Sequence, residues 1–225
     1  RDDVLGDDLL RERHLHTSGE DTRGVAEVQA ALVEYADAVV VVGDIDETDR
    51  HVLRMLMRPG TRDVIDHLAI DTAAIVGARR PHDDAEAWVD PGHDAHVGLL
   101  EAGEAWTVEL RSDRPFHPER LMSNLEALGG GARRSRGCFW LPTRHDQVCE
   151  WDGAGGQLSV GPCQHGTTEP HTRLLVTGID DGRDELVATF HSCLLTDAEL
   201  AERGSIWECR EDGFEPWLGP TRQPA

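Results

Sequence analysis

Residues 134–162 read "RSRGCFWLPTRHDQVCEWDGAGGQLSVGP". From Cys138 to Leu141 the two-residue period of a strand puts Cys138 and Trp140 on one side and Phe139 and Leu141 on the other. Both sides are apolar, so one pair has to turn away from the main core or into an interface. "CFWLPT" and "QVCEW" predict two strands, and the glycine-rich "DGAGG" turn leads into a third at "QLSV".

The same grammar continues on both sides. "RLLVTGI", residues 173–179, predicts another apolar strand, and "GRDELVATFHSCLL", residues 182–195, predicts a helix with Leu186, Phe190, Cys193 and Leu194 at helical spacing. Upstream, "AWTVELRS", residues 105–112, alternates Trp106, Val108 and Leu110 with Thr107, Glu109 and Arg111, the pattern of a half-buried strand. "FHPERLMSNLEALGGG" predicts one helix, with Pro118 in its first turn, Leu121, Leu125 and Leu128 on one face, and a glycine stop at Gly129. Residues 98–203 thus read β-α-β-β-β-β-α, a small α+β unit.

The first 80 residues follow a different pattern. "TRGVAEVQAALVEYA" places Val25, Val28, Leu32 and Tyr35 on one helical face, and Ala38 to Val42 is an unbroken apolar run suited to a parallel strand buried on both faces. "ETDRHVLRMLMRPG" adds a helix with Val52, Leu53, Leu56 and Met57 inward. Residues 81–97, "PHDDAEAWVDPGHDAHV", are acidic and rich in Pro and Gly, and read as a linker; residues 204–225 read as a tail.

Composition narrows the function classes. The formal charge is −21, so extended or sequence-specific nucleic-acid binding and association with anionic membranes are disfavoured. All 22 basic residues are arginine. Five cysteines without a CxxC pair read as reduced thiols of a cytoplasmic protein, and no run is long enough to span a membrane. No GxSxG elbow or comparable nucleophile motif supports an independent hydrolase.

"RSRGCFWLPTRHDQVCEWDGAGGQLSVGP", "RLLVTGID" and "FHSCLLTDAEL" together resemble the C-terminal domain of the CobW family of metal-associated P-loop GTPases. "VEYADAVVVVGDIDE", residues 33–47, is similar to the family segment leading into the guanine-reading NKxD motif. The resemblance implies an α/β remnant of a P-loop NTPase domain (residues 1–80) followed by an α+β CobW C-terminal domain. It also implies GTP and zinc as the family's cofactors. The family's P-loop and CxCC metal motif would lie before residue 1, so this chain alone is not expected to hydrolyse GTP. Were residue 1 the true start, another chain should cover the strand at Val39 to Val42.

Where the family has Asn-Lys-x-Asp, this sequence has Val42, Gly43, Asp44 and Ile45, leaving Asp44 or Asp46 as candidate base-reading carboxylates. The plainer reading of residues 43–49 is a solvated turn with Asp46 or Thr48 capping the next helix; an EF-hand is excluded because Met55 stands where its bidentate Glu belongs. The linker histidines His93 and His96 are the candidate metal ligands, against a plain reading as exposed, uncommitted side chains.

Arg134, Arg136, Phe139, Trp140 and Arg144 have the composition of an interaction edge, facing either a protein partner or the family's nucleotide-binding segment. The plain alternative is an aromatic that covers a sheet face beside arginines paired with nearby carboxylates. The lysine-free composition resembles the actinobacterial Mrf-type branch, which implies recruitment of a hibernation factor to the ribosome under zinc limitation. Delivery of zinc to a client protein is the family alternative.

Overall fold

The computed structural model describes residues 2–15, 18, 20–59, 62–66, 68, 70, 71, 73, 82–92, 97, 99–163, 169–179 and 181–221, with 62–66 described by their backbone. The chain begins with the short helix α1 (Asp2–Leu5), followed by α2 (Val25–Tyr35), which leads directly into strand β1 (Ala38–Val41). The inner face of α2 is rotated from the one its large apolar residues suggest. Val25, Ala26, Ala30 and Glu34 are buried, whereas Leu32 and Tyr35 are 59% and 40% exposed. A backbone hairpin is the cause: a Cβ placed on Gly155 would come within 3.0 Å of Ala26 Cβ, an approach that requires small residues on the facing helix.

Helix α3 (Glu47–Leu56) follows a turn capped by Asp46, and strand β2 (Arg62–Asp66) pairs in parallel with β1. The apolar run at Val39–Val42 is covered on one side only. Val41 packs with Met57 in a cluster that also takes in Val33, Val39 and Leu53, while Val42 is 80% exposed. Strand β1 is therefore half-buried, not buried on both faces.

Within the stretch read as a linker, residues 82–89 are helical. Helix α4 (His82–Val89) buries Ala85 and Trp88, three residues apart on one face. Its acidic Asp83 and Asp84, which made the segment look solvated, sit in the first turn, where the helix dipole favours negative charge.

The second unit contains β3 (Leu100–Ala102), β4 (Ala105–Ser112), α5 (Pro118–Ser123), α6 (Leu125–Gly129), β5 (Arg133–Trp140), β6 (Val148–Ala154), β7 (Gln157–Pro162), β8 (Thr172–Gly178), α7 (Arg183–Cys193), α8 (Asp197–Arg203) and α9 (Glu215–Leu218). The strands form an antiparallel sheet in the order β3-β4-β8-β5-β6-β7. Three details depart from β-α-β-β-β-β-α, the last being that α8 (Asp197–Arg203) follows α7 within the same bounds. Strand β3 precedes β4 as a hairpin partner, and the predicted single helix breaks at Asn124, whose Nδ2 donates to Arg120 O at 2.8 Å and competes with the helical ladder. Gly137 has a φ of +152°, and a Cβ there would lie 1.9 Å from Arg173 O, so no other residue fits between β5 and β8.

One face of the sheet presents Trp106, Leu110, Phe139, Cys149, Trp151, Leu174 and Val176 to Leu121, Leu128, Leu186 and Phe190 of the helices. Residues beyond 203 complete this core. Phe214 is fully buried 6.3 Å from the Phe139 ring, and Trp207 N donates to Pro142 O at 2.8 Å. The expected tail is thus a strap across the core as far as Thr221, held by the aromatic area it buries. Among the described residues no helix is long and apolar enough to cross a membrane.

Candidate functional site

The other face of the sheet carries charge. Alternation along β5 sends Arg134, Arg136 and Cys138 to that side, and their partners on β8 are Thr177, Leu175 and Arg173. Helices α2 and α3 lie against this face, and α4 reaches it through Trp88. Glu34, in the last turn of α2, accepts Arg134 Nε at 2.8 Å with one oxygen and Nη2 at 2.9 Å with the other. This fork-to-fork pair is buried on both sides. Arg134 also binds the Asp152 carboxylate of β6 and donates to Gly153 O at 3.2 Å.

Arg136 is held differently. It donates to the Trp88 carbonyl, lies 4.4 Å from the Trp88 ring centroid, and approaches Glu34 Oε1 at 3.4 Å, the oxygen already occupied by Arg134. Arg173 Nε donates to Glu109 at 2.6 Å. Burial works against the charge of both β5 arginines. For Arg134, Glu34 and then Asp152 outweigh it and the pKa is raised. For Arg136 burial prevails over Glu34, with Arg134 and Arg173 adding repulsion, and the pKa is pushed down to about 10. Both guanidinium groups remain charged at neutral pH.

The five residues read as an exposed interaction edge are all buried, and they part company. Arg134 pairs with Glu34 of α2 and Asp152 of β6, whereas Arg136 approaches Glu34 at 3.4 Å and otherwise bonds the Trp88 carbonyl. Phe139 is in the apolar core, and Trp140 lies on the charged side at 8% exposure. Arg144 belongs to the strap: its Nε and Nη2 each meet Asp212 at 2.9 Å, and it also reaches the carbonyls of Leu218 and Gly219. Each cation found an internal acceptor, so no arginine-aromatic edge faces solvent at these positions.

The acidic turn is arranged simply. Asp46 accepts Asp49 N at 2.7 Å as the cap of α3, and Asp44 is exposed beyond the end of β1. His93 and His96 lie outside the described residues. Among the described residues no group of three His, Cys, Asp or Glu could hold a metal ion.

Sequence reading missed Glu34, Trp88, Glu109, Asp152 and Asp212. Thr107 and Glu109 looked like the solvent side of an alternating strand, and Glu34 looked like the polar face of α2. A signal existed in α2: Ala26, Ala30 and Glu34 recur every four residues, so a stripe suited to close packing ends in a carboxylate.

Above the paired arginines a cleft of about 480 Å³ opens to solvent, walled by Val28, Leu32 and Tyr35 of α2 and by Val89 and Pro91, with Arg136 at its base.

Residues 105–194 match the cobalamin synthesis protein cobW C-terminal domain. The Mycobacterium tuberculosis zinc chaperone Rv0106 is 26% identical over 88% of this chain and 56% of its own length. The Dictyostelium discoideum zinc-regulated GTPase metalloprotein activator 1 is 21% identical over 95% of this chain and 52% of its own length. The chain therefore spans about half the length of the curated relatives it matches. A crystal structure of Zn(II)-bound YjiA GTPase from E. coli is similar at 16% identity and a TM-score of 0.39, over 75% of this chain and 54% of that one.

Proposed function

The chain belongs to the CobW family through its domain at residues 105–194, and on that premise we propose that it is the latter half of a cytoplasmic zinc-handling protein that delivers metal to a client protein. GTP and zinc are the family's cofactors. In this reading residues 1–80 are the latter part of a P-loop GTPase-type domain. Asp44, exposed beyond the end of a parallel strand, is the carboxylate available to read a base, since Asp46 is committed to its helix cap. The sequence contains neither GxxxxGK[ST] nor any lysine, so no phosphate contact is assigned to these residues. Zinc is treated as cargo. The described residues offer it no site, and His93 and His96 remain the proposed ligands.

The observation that carries this reading is the Arg134–Glu34 pair. It ties the matched domain to α2, which runs through β1 to the turn holding Asp44. A change at that turn has a short, rigid path to the sheet. In zinc-limited cells, the full protein carrying Glu34→Gln should leave its client under-loaded, measured as zinc per purified client. Equal client loading with and without the gene overturns the proposal.

A narrower second reading is recruitment of a hibernation factor to the ribosome. It is favoured by the turn Val42-Gly43-Asp44-Ile45, which lacks the Asn and Lys of NKxD. Tagged protein from zinc-starved cells should then enrich ribosomes and that factor; a tagged protein that enriches neither removes this reading.

A further inference from the structure

The two arginines of β5 are compensated unequally. Arg134 takes both oxygens of Glu34 and the Asp152 carboxylate as well. Arg136, equally buried, bonds a neutral carbonyl and a ring face, and its 3.4 Å approach to Glu34 is to an oxygen that Arg134 already uses. A buried cation is costly to hold unless an anion meets it with good geometry. Arg136 also lies at the base of a cleft of about 480 Å³, a volume typical of small-ligand sites. The cleft walls leave Leu32 and Tyr35 in contact with water.

We infer that the cleft between α2, α4 and β5 is a binding site for a singly charged carboxylate on an apolar body, with Arg136 as the anion receptor and Leu32 and Tyr35 as the apolar wall. The planar guanidinium matches a carboxylate. Arg23, Arg134, Glu27, Glu34, Glu150 and Asp152 also line the cleft; Arg23 is taken by Asp21 and Arg134 by Glu34 and Asp152, so a nucleotide or other polyanion would meet the carboxylates where a single carboxylate can meet Arg136. Two sources present this chemistry: a free aliphatic or aromatic acid, and the C-terminal carboxylate of a protein ending in an apolar residue. The inference does not depend on zinc delivery and can fail or survive separately from it.

The test uses this chain with two matched pairs of probes, phenylacetate against phenylacetamide, and N-acetyl-Gly-Gly-Leu against its C-terminal amide. Binding is followed by calorimetry and by tryptophan fluorescence, since Trp88 lies against Arg136. At least one acid should bind saturably and its amide at least tenfold more weakly. Preference for phenylacetate identifies the free-acid source, and preference for the peptide identifies a protein terminus. Arg136→Gln should abolish the difference between acid and amide. Leu32→Asp, at a position exposed enough to leave the fold intact, should weaken both acid and amide by removing apolar contact, and the acid several-fold further by repulsion, so that the acid preference narrows; it decides the matter if Arg136→Gln does not fold. Equal binding of acid and amide, absence of saturable binding, inorganic phosphate binding as tightly as the acids, or an acid preference untouched by Leu32→Asp would each overturn the inference.

Discussion

The two faces of the six-stranded sheet are made by the same strands and are stabilised in opposite ways. One is an apolar core closed by α5 to α7 and the strap, all from residues beyond 104. The other buries Arg134, Arg136 and Arg173 with Glu34 and Glu109 and, among the described residues, is covered by α2, α3 and α4, with His171 beside Cys138. Apolar burial contributes about 25 cal/mol per Å² without regard to direction. A buried ion pair roughly offsets its own desolvation and contributes little net stability, but it demands one geometry. The apolar face therefore accounts for most of the folding energy, and the charged face fixes how the first unit sits on the sheet.

The strongest way to break this contrast is Phe139→Ala. The Phe139 ring lies about 6 Å from Phe116, Trp151 and Phe214, so truncation opens a cavity at the centre of the core. A loss of about 3–5 kcal/mol is expected. Urea unfolding followed by circular dichroism should show it as a lower midpoint, with loss of both units because the sheet supports the charged face as well.

On the charged face the matching change is Glu34→Ala, which removes the carboxylate that Arg134 and Arg136 share and leaves Asp152 paired with Arg134. A loss of about 3 kcal/mol is expected, at the lower end of what breaking a buried pair costs because water can enter from the cleft. The cysteines distinguish the two faces. Burial pushes the thiols of Cys138, on the charged face, and Cys149, in the core, up to about 12, so both should resist alkylation at neutral pH. In Glu34→Ala, Cys138 should become reactive while Cys149 stays protected, as mapped by mass spectrometry. Simultaneous labelling would mean that the faces do not open independently.

This difference also explains what the sequence could disclose. Strands β4 to β8 and helix α7 announce themselves by alternation and helical spacing, since an apolar face writes its period directly into residue type. The charged face does not. Glu34 reads as solvent-facing until Arg134 is placed against it, and the pairing joins residues 100 positions apart. Trp88 was hidden within an acidic stretch, and the strap within an apparent tail, because each is ordered by tertiary contact and not by its own periodicity. The arginine-aromatic run was recognised as important, but its side chains face inward, a matter of partners that composition does not reveal.

A smaller effect is expected at the strap. Asp212 accepts Arg144 in a bidentate pair and Thr143 Oγ1 at 2.6 Å. Burial would raise its pKa, but Arg144, Thr143 and the Phe214 N–H outweigh burial and hold it below the usual aspartate value. Stability from this group is therefore complete above the ordinary carboxylate range and is lost as pH falls through the depressed folded value. Asp212→Asn should cost roughly 1–3 kcal/mol. Limited proteolysis should cut it first within residues 204–221, leaving the charged face intact.

The smallest expected effect comes from His117, which lines a cleft of about 560 Å³ beneath the same strap. Its ring meets Trp207 edge-on at 5.2 Å, and its Nδ1 is buried without a hydrogen-bond partner. Burial first, and then Arg120, lower its pKa below the usual histidine value. Just below about pH 6.5 the unfolded chain thus binds a proton that the folded chain refuses. Stability should decline as pH falls from there to the depressed folded value and then level off with respect to this group. The urea midpoint of the wild type should therefore drop more between pH 7.5 and 5.5 than that of His117→Gln. An equal drop in both proteins would place the acid sensitivity elsewhere, whereas a flatter response in the variant would assign it to the strap side of the sheet.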